Sequence, residues 1–276
     1  MSAHAVIKAA ILAGGRFGDH TVEVYLQGSY RNHVNTRQES DVDIIAELTS
    51  VAAYDTSSLY PWEQALFWST FQYSEYDYQH FRADVHASLT SRFRESVVPH
   101  AKALEVRGNW LRLKVDVLPA IRYRQVYAFD GVNMSSNDGI AFWTADGQRL
   151  VNWPHQHFDS GVAKNERCGG NYKPSVRMFK NARRAAIDRG LVTSDLAPSY
   201  FLQGLLWNVP DDLFGADHSK TYCDVVNWLI QNRWIQHQFR CQNGVDLLFG
   251  TSPGQWDLNP ASATEDALVA LWNSWQ

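Results

Sequence analysis

The sequence predicts an α+β fold in which a mixed sheet with flanking helices forms the first half and helices alone form the second. Residues 22–26, 41–48 and 110–118 alternate apolar and polar side chains, as strands with one buried face do. From about residue 152 the apolar residues instead recur at the three- and four-residue spacing of helices. We therefore expect two lobes: a sheet-bearing core lobe over residues 1–150 and a helical lobe over residues 151–276.

The other elements of the first lobe follow from local patterns. Residues 5–13 predict an amphipathic helix, because Lys8 interrupts the apolar run and charged residues follow it. Residues 61–94 predict one or two helices, with Pro61 well suited to a first helical turn. Residues 140–151 predict a hairpin that turns at Asp146-Gly147.

The second lobe contains four predicted helices. Residues 172–189 form the longest, and Gly190 supplies its natural end. Residues 199–209 form a short apolar helix that Pro210 ends. Residues 222–236 and 264–275 predict two more helices, so nothing in this half resembles a strand-rich domain.

Composition excludes several classes of protein. The chain has 276 residues, of which 45% are hydrophobic and 20% charged, as in an ordinary globular protein. Its net charge of −4, with no basic tail, argues against a groove for a large nucleic acid. No apolar run is long enough to cross a bilayer, so we expect no membrane association. Three distant cysteines without zinc-ligand spacing indicate free thiols in a reducing cytoplasm.

Two aspartates open the second predicted strand. Residues two apart on a strand point to the same side, so Asp41 and Asp43 place two carboxylates together while Val42 and Ile44 pack into the core. Such carboxylates repel each other unless cations neutralise them. Oxygen ligands of this kind suit Mg²⁺, which takes one or two carboxylates together with substrate phosphates.

A third aspartate lies in the third predicted strand. Asp116, in LRLKVDVLPA, lies on the face opposite Val115 and Val117, and beside Asp41 and Asp43 it would complete a site for two metal ions, Mg²⁺ or Mn²⁺. The alternative is an edge-strand carboxylate paired with Arg112 or Lys114.

Gly28-Ser29, at the end of the first predicted strand and separated from the D-x-D motif by eleven residues, could bind phosphate. Gly28 has no Cβ to obstruct a phosphate, and Ser29 adds a hydroxyl to the backbone N–H donors. The alternative is an ordinary turn at the end of a strand.

The combined pattern resembles a known superfamily. G-S-x11-D-x-D with a later strand carrying Asp116 is similar to the DNA polymerase β-like nucleotidyltransferases. More narrowly, GSYRNHVNTRQESDVDI, KVDVLPA, NWPHQH, YKPSVRMFKNARR and PSYFLQGLLWNVPD resemble the bacterial cGAS/DncV-like nucleotidyltransferases (CD-NTases) over residues 20–215. Those enzymes make cyclic oligonucleotide signals in anti-phage defence. The resemblance implies a polymerase β-like core packed on a helical lobe.

The resemblance also assigns roles to residues. It implies that Asp41, Asp43 and Asp116 are the metal carboxylates and that Gly28 and Ser29 hold the triphosphate. Lys180 matches a family lysine that contacts donor phosphates, and Ser199 matches a family serine at the same triphosphate. The alternatives are a solvated helix lysine for Lys180 and a helix N-cap for Ser199. Within NWPHQH, the polar residues could pack a loop or line the pocket: Asn152, His155 and His157.

The resulting functional expectation is a template-independent nucleotidyltransferase. It would join nucleoside triphosphates into a cyclic oligonucleotide and release pyrophosphate. Two alternatives stay open: transfer of nucleotides to an RNA end or a protein, and a nucleotide-binding module without catalysis. The segment after about residue 236 matches no assigned part of the family, and the Cys/His zinc insertion of the animal DNA-sensing relatives is absent. A regulatory protein partner is compatible with the family, although no motif names one.

Overall fold

The computed structural model describes residues 2–36, 41–107, 114–196, 198–252 and 254–275. The chain divides into two compact units, the first comprising residues 1–30 and 40–154 and the second residues 31–39 and 155–276. The functional division at residue 150 stays a prediction, and the second unit also takes in the short segment 31–39.

One mixed sheet organises the first unit. Within the described residues its strands are β1 (Val22–Leu26), β2 (Val42–Asp55), β3 (Val97–Pro99), β4 (Leu104–Val106), β5 (Val115–Phe129), β6 (Met134–Trp143) and β7 (Arg149–Asn152). β2 and β5 pair in parallel, whereas β1 pairs antiparallel with β2, and β4 and β6 pair antiparallel with β5. β3 extends the sheet beyond β4, and β7 extends it beyond β6. The long strand β5 is therefore the centre of the sheet.

Helices flank the sheet and form the second unit. In the first unit they are α1 (Ala3–Leu12), α3 (Pro61–Thr70) and α4 (Tyr78–Phe93), and the short α2 (Gly28–Asn32) follows β1. From residue 154 onward come α5 (Pro154–Arg167), α6 (Tyr172–Asp188), α7 (Ser199–Trp207), α8 (His218–Gln231) and α9 (Asn259–Asn273). No helix among the described residues is long and apolar enough to cross a membrane.

The predicted α+β fold and its mixed sheet are confirmed. The strand predicted from residue 41 continues to Asp55. Both faces of its first half are buried, because Ile45 and Glu47 on one face are buried as well as Ile44 on the other. The strand predicted over residues 110–118 is observed from Val115, while residues 110–113 lie outside the described part of the chain. The hairpin at Asp146-Gly147 is confirmed, with Gly147 at φ +83°.

The predicted helices of the second half are confirmed with shifted ends. α6 ends one residue early, and Gly190 follows it at φ +70°. The core of this unit is built from helical apolar faces whose side chains are fully buried, such as Val176, Phe179 and Phe201. Sequence patterns missed α5, and NWPHQH is not a loop: Asn152 ends β7, and His155 and His157 lie in the first turns of α5.

Candidate active site

Asp43 and Asp116 are direct neighbours on two central strands. They are register partners across the parallel pair β2 and β5, and parallel neighbours stand about 4.8 Å apart. Asp41 immediately precedes β2, on the same strand face as Asp43 by the two-residue alternation. The Nζ atom of Lys114 lies 3.2 Å from Asp41 Oδ2 and 3.4 Å from Asp116 Oδ2. The structure therefore brings the three predicted carboxylates to one end of β2 and β5.

Gly28 lies against the Asp43 carboxylate. The chain leaves β1 at Leu26, the Gln27 backbone N–H donates to Asp43 O at 2.9 Å, and Gly28 begins α2 at φ +68°. A Cβ at Gly28 would overlap Asp43 Oδ2 and stand 3.2 Å from Asp43 Cγ. Both the backbone conformation and the close approach therefore require glycine. Ser29 follows in the same short helix.

A fourth carboxylate, which the sequence analysis missed, lies in the same row. Glu105 on β4 is the register partner of Asp116, so Asp43, Asp116 and Glu105 lie side by side across β2, β5 and β4. Glu105 is 3% exposed and forms an ion pair with Lys114 Nζ at 3.1 Å. The sequence signal that could have revealed Glu105 is a charged residue between Leu104 and Val106 in a short apolar segment.

Basic side chains surround the Glu105 carboxylate. His100 Nε2 lies 3.2 Å from Glu105 Oε2, and Arg107 contacts Oε1. Burial lowers the pKa of the Lys114 ammonium, but the hydrogen bond to Asp41 and the charges of Asp116 and Asp41 outweigh it and raise the pKa above its usual value. Lys114 is therefore a permanent positive charge among the acids.

Asp116 does not lie at a sheet edge, since β5 pairs with β2 on one side and with β4 on the other. That part of the alternative interpretation is wrong. Its second part, pairing with Lys114, is observed, and Arg112 lies outside the described residues.

The donor set fits a divalent metal. Among the described residues, no three His, Cys, Asp or Glu side chains stand in a metal-binding arrangement. Asp116 Oδ1 is nevertheless buried without a hydrogen-bond partner. A buried carboxylate oxygen with no donor is suited to coordinate a hard cation such as Mg²⁺.

Two predicted phosphate contacts lie in the second unit. Lys180 on α6 is 5% exposed, and its Nζ donates to Val34 O at 3.2 Å. The solvated-lysine alternative is therefore wrong. α7 begins at Ser199 with Pro198 in the N-cap position, so the N-cap alternative for Ser199 is also wrong. Contact of either side chain with phosphate stays a prediction.

An aromatic stack lies beside Ser199. The His157 ring on α5 stacks on Tyr200 with centroids 5.4 Å apart, and His157 Nε2 lies 3.3 Å from Gln203 Nε2. Burial lowers the pKa of His157 to about 4. His157 is therefore neutral at physiological pH and presents a flat ring rather than a charge.

A separate cavity of about 520 Å³ opens in the first unit. Its walls include Ala52, Tyr54, Trp68, Trp143 and Arg149, and it contains none of the predicted site residues. Ala52 pairs with Arg122, which lies six residues beyond Asp116 along β5 and therefore about 20 Å from it. The cavity is therefore not the carboxylate site.

Comparison with known proteins settles the family. The chain is 40% identical to a cyclic UMP-AMP synthase of Rhodothermus marinus over 92% of its own length and 85% of that protein. The chain belongs to the cGAS/DncV-like nucleotidyltransferases. The model of the CD-NTase C-terminal helical domain matches residues 159–273. The segment after residue 236 is thus part of the family's helical domain, and the expectation that it matches nothing was wrong.

Further relatives agree with this CD-NTase assignment. A cyclic nucleotide synthase of Staphylococcus haemolyticus, CdnE01, is 34% identical over 92% of this chain and 86% of that protein. The solved structure of the Rhodothermus marinus CdnE c-UMP-AMP synthase with Apcpp and Upnpp superposes with a TM-score of 0.87 at 38% identity, covering 99% of this chain and 90% of the other. The predicted nucleotidyltransferase fold and enzyme class are therefore confirmed. Nucleotidyltransferases of this type generally need a divalent metal ion.

Proposed function

We propose that this CD-NTase joins two nucleoside triphosphates, without a template, into a cyclic dinucleotide. The observation that carries the proposal is the pairing of Asp43 with Asp116 on adjacent strands, with Asp41 close by, in a chain 40% identical to a cyclic UMP-AMP synthase. A nucleotide-binding module would not need to hold repelling carboxylates together. A template-reading enzyme would need a basic groove, which a net charge of −4 does not favour.

Asp41, Asp43 and Asp116 would hold divalent ions, two Mg²⁺ or Mn²⁺ in the proposal. When bound, such ions activate the attacking hydroxyl and neutralise charge on the triphosphate. The protein's own contribution is placement. β2 and β5 fix the spacing of Asp43 and Asp116, and Gly28 leaves space beside Asp43. Gly28, Ser29, Lys180 and Ser199 are the proposed contacts to the triphosphate.

The reaction balances as two displacements at phosphorus. In each, a ribose hydroxyl oxygen bonds to an α-phosphorus, the bond to the β-phosphate oxygen breaks, and pyrophosphate leaves while the hydroxyl proton passes to solvent. After the first bond, the linear intermediate still carries one triphosphate. Rebound in the donor position, that triphosphate closes the ring at the same carboxylates, so no second active site is needed.

Which bases the product contains depends on the nucleotide pocket and is not determined by family membership. Relatives of this chain are a cyclic UMP-AMP synthase, a cyclic dipurine synthase and a cyclic dipyrimidine synthase.

We propose that the product acts as a second messenger in anti-phage defence and that the enzyme works in the cytoplasm, where its triphosphate substrates are made. Accumulation of the product after phage infection, against uninfected cells, tests that role.

The decisive experiment uses the full chain with the four nucleoside triphosphates and Mg²⁺, followed by phosphatase and mass spectrometry. A phosphatase-resistant cyclic dinucleotide, absent with EDTA and with Asp43→Asn, is the expected result. Linear, phosphatase-sensitive products, or label transferred to added RNA or protein, would replace the cyclase with a tailing or modifying transferase. Triphosphate binding without any product would leave a binding module.

A further inference from the structure

A lysine already stands among the carboxylates that are proposed to bind metal. Lys114 Nζ lies 3.2 Å from Asp41 Oδ2, 3.4 Å from Asp116 Oδ2 and 3.1 Å from Glu105 Oε2. An ammonium in this position neutralises part of the charge that a divalent ion would neutralise. It also competes with that ion, because Asp41 and Asp116 serve both.

Glu105 differs from the three aspartates. Its side chain is 5% exposed, against 48% for Asp41 and 27% for Asp116. His100 and Arg107 contact its two oxygens. Glu105 is thus a buried acceptor on the side of Asp116 away from Asp43.

We propose that Lys114 is a resident cation of the metal-free site and that Glu105 retains it when divalent metal takes Asp41 and Asp116. This inference rests on the proposed metal role of the aspartates. Lys114 and Glu105 are thus positioning residues: they set the affinity and order of metal loading without contacting substrate.

The two residues should then have opposite effects. Without Lys114, four carboxylates share one end of the sheet with less compensation, so the metal-free protein loses stability and metal binds more tightly. Without the charge of Glu105, Lys114 remains with Asp41 and Asp116, so metal binds more weakly. Since a charge pair of this exposure is worth up to about 1 kcal/mol, each change in affinity should be up to about 5-fold.

Mn²⁺ binding, measured by electron paramagnetic resonance without nucleotide, tests the inference on the full chain. We expect Lys114→Met to lower the Kd for Mn²⁺ and to unfold at lower temperature in EDTA. Glu105→Gln should raise the Kd. In the Lys114→Met background, Glu105→Gln should lose most of its effect, because Glu105 acts through Lys114. Arg122→Met is the matched control: Arg122 lies on β5, which begins just after Lys114, and pairs with buried Glu47 at 3.2 Å, and its loss should leave Mn²⁺ binding unchanged.

Two results would overturn the inference. One is unchanged or weaker Mn²⁺ binding in Lys114→Met. The other is a Glu105→Gln effect of equal size with and without Lys114, which is what simple long-range electrostatics predicts. Failure of the proposed function looks different: Mn²⁺ binding would be absent from the unaltered protein or would survive Asp43→Asn.

Discussion

Replacing Gly28 by alanine places a methyl group where the Asp43 carboxylate stands. The residue has φ +68°, in the left-handed region that L-amino acids with a Cβ rarely adopt. The new Cβ would overlap Asp43 Oδ2 and lie 3.2 Å from Cγ. The neighbour is a short side chain on a central strand, so either Asp43 rotates away or the start of α2 moves.

The two consequences have different magnitudes. The backbone strain costs about 1–2 kcal/mol of folding stability. The displaced carboxylate should cost more in catalysis, because a misplacement of about 1 Å at a reacting centre can lower the rate about 100-fold. We therefore expect Gly28→Ala to stay folded and to lose at least about 100-fold in pyrophosphate release.

Gly15→Ala separates strain from displacement. Gly15 has a similar φ of +58°, but a Cβ there meets nothing within 4 Å. Denaturant unfolding and initial rates of pyrophosphate release should be measured for both variants. Similar losses of stability with a rate loss only in Gly28→Ala support the contact with Asp43. Near-normal turnover of Gly28→Ala, or an equal rate loss in Gly15→Ala, would refute it.

Three further predictions concern other residues of the chain. Asp41→Asn and Asp43→Asn should each abolish product formation while the melting temperature changes little, because removing one of several repelling carboxylates offsets lost contacts. Lys180→Met should lower unfolding free energy by about 1–3 kcal/mol in denaturant titrations, because it removes the buried donor to Val34 O. His157 should make stability fall as pH drops from 6.5 to about 4, because only the unfolded chain binds its proton readily there.

Turnover near normal in either aspartate variant would remove it from the metal site. Unchanged stability of Lys180→Met would show that its bond to Val34 contributes nothing. For His157, stability is complete above pH 6.5, where the folded and unfolded forms are both neutral, and the loss below about pH 4 reaches at most about 3 kcal/mol. His157→Phe keeps a ring against Tyr200 and should flatten that slope; an unchanged slope would assign it to other groups.

Sequence patterns predicted the sheet elements that carry Asp43 and Asp116, because apolar and polar side chains alternate along both segments. They did not predict that β2 and β5 are neighbours in register. That pairing joins residues 73 apart in the chain, and no local signal reports it. The resemblance supplied the missing connection. α5 was missed because NWPHQH opens it with proline, histidines and glutamine, which carry little apolar period at the helix start.

Glu105 and Lys114 show a second limit of prediction from sequence, which concerns the pairing of charged residues rather than the pattern of strands and helices. A lysine two residues before Asp116 invites pairing with that aspartate, and the pairing alone makes Asp116 look structural. Glu105 changes the interpretation, because it gives Lys114 a buried partner of its own on β4, so that under our proposal the aspartates can exchange the ammonium for metal. Only the register of three strands makes Glu105 visible as a neighbour. With Lys114 and Asp116 alone, their ion pair is a reason to doubt a metal site at Asp116. Once Glu105 is included as a partner of Lys114, the same ion pair supports the proposed metal site.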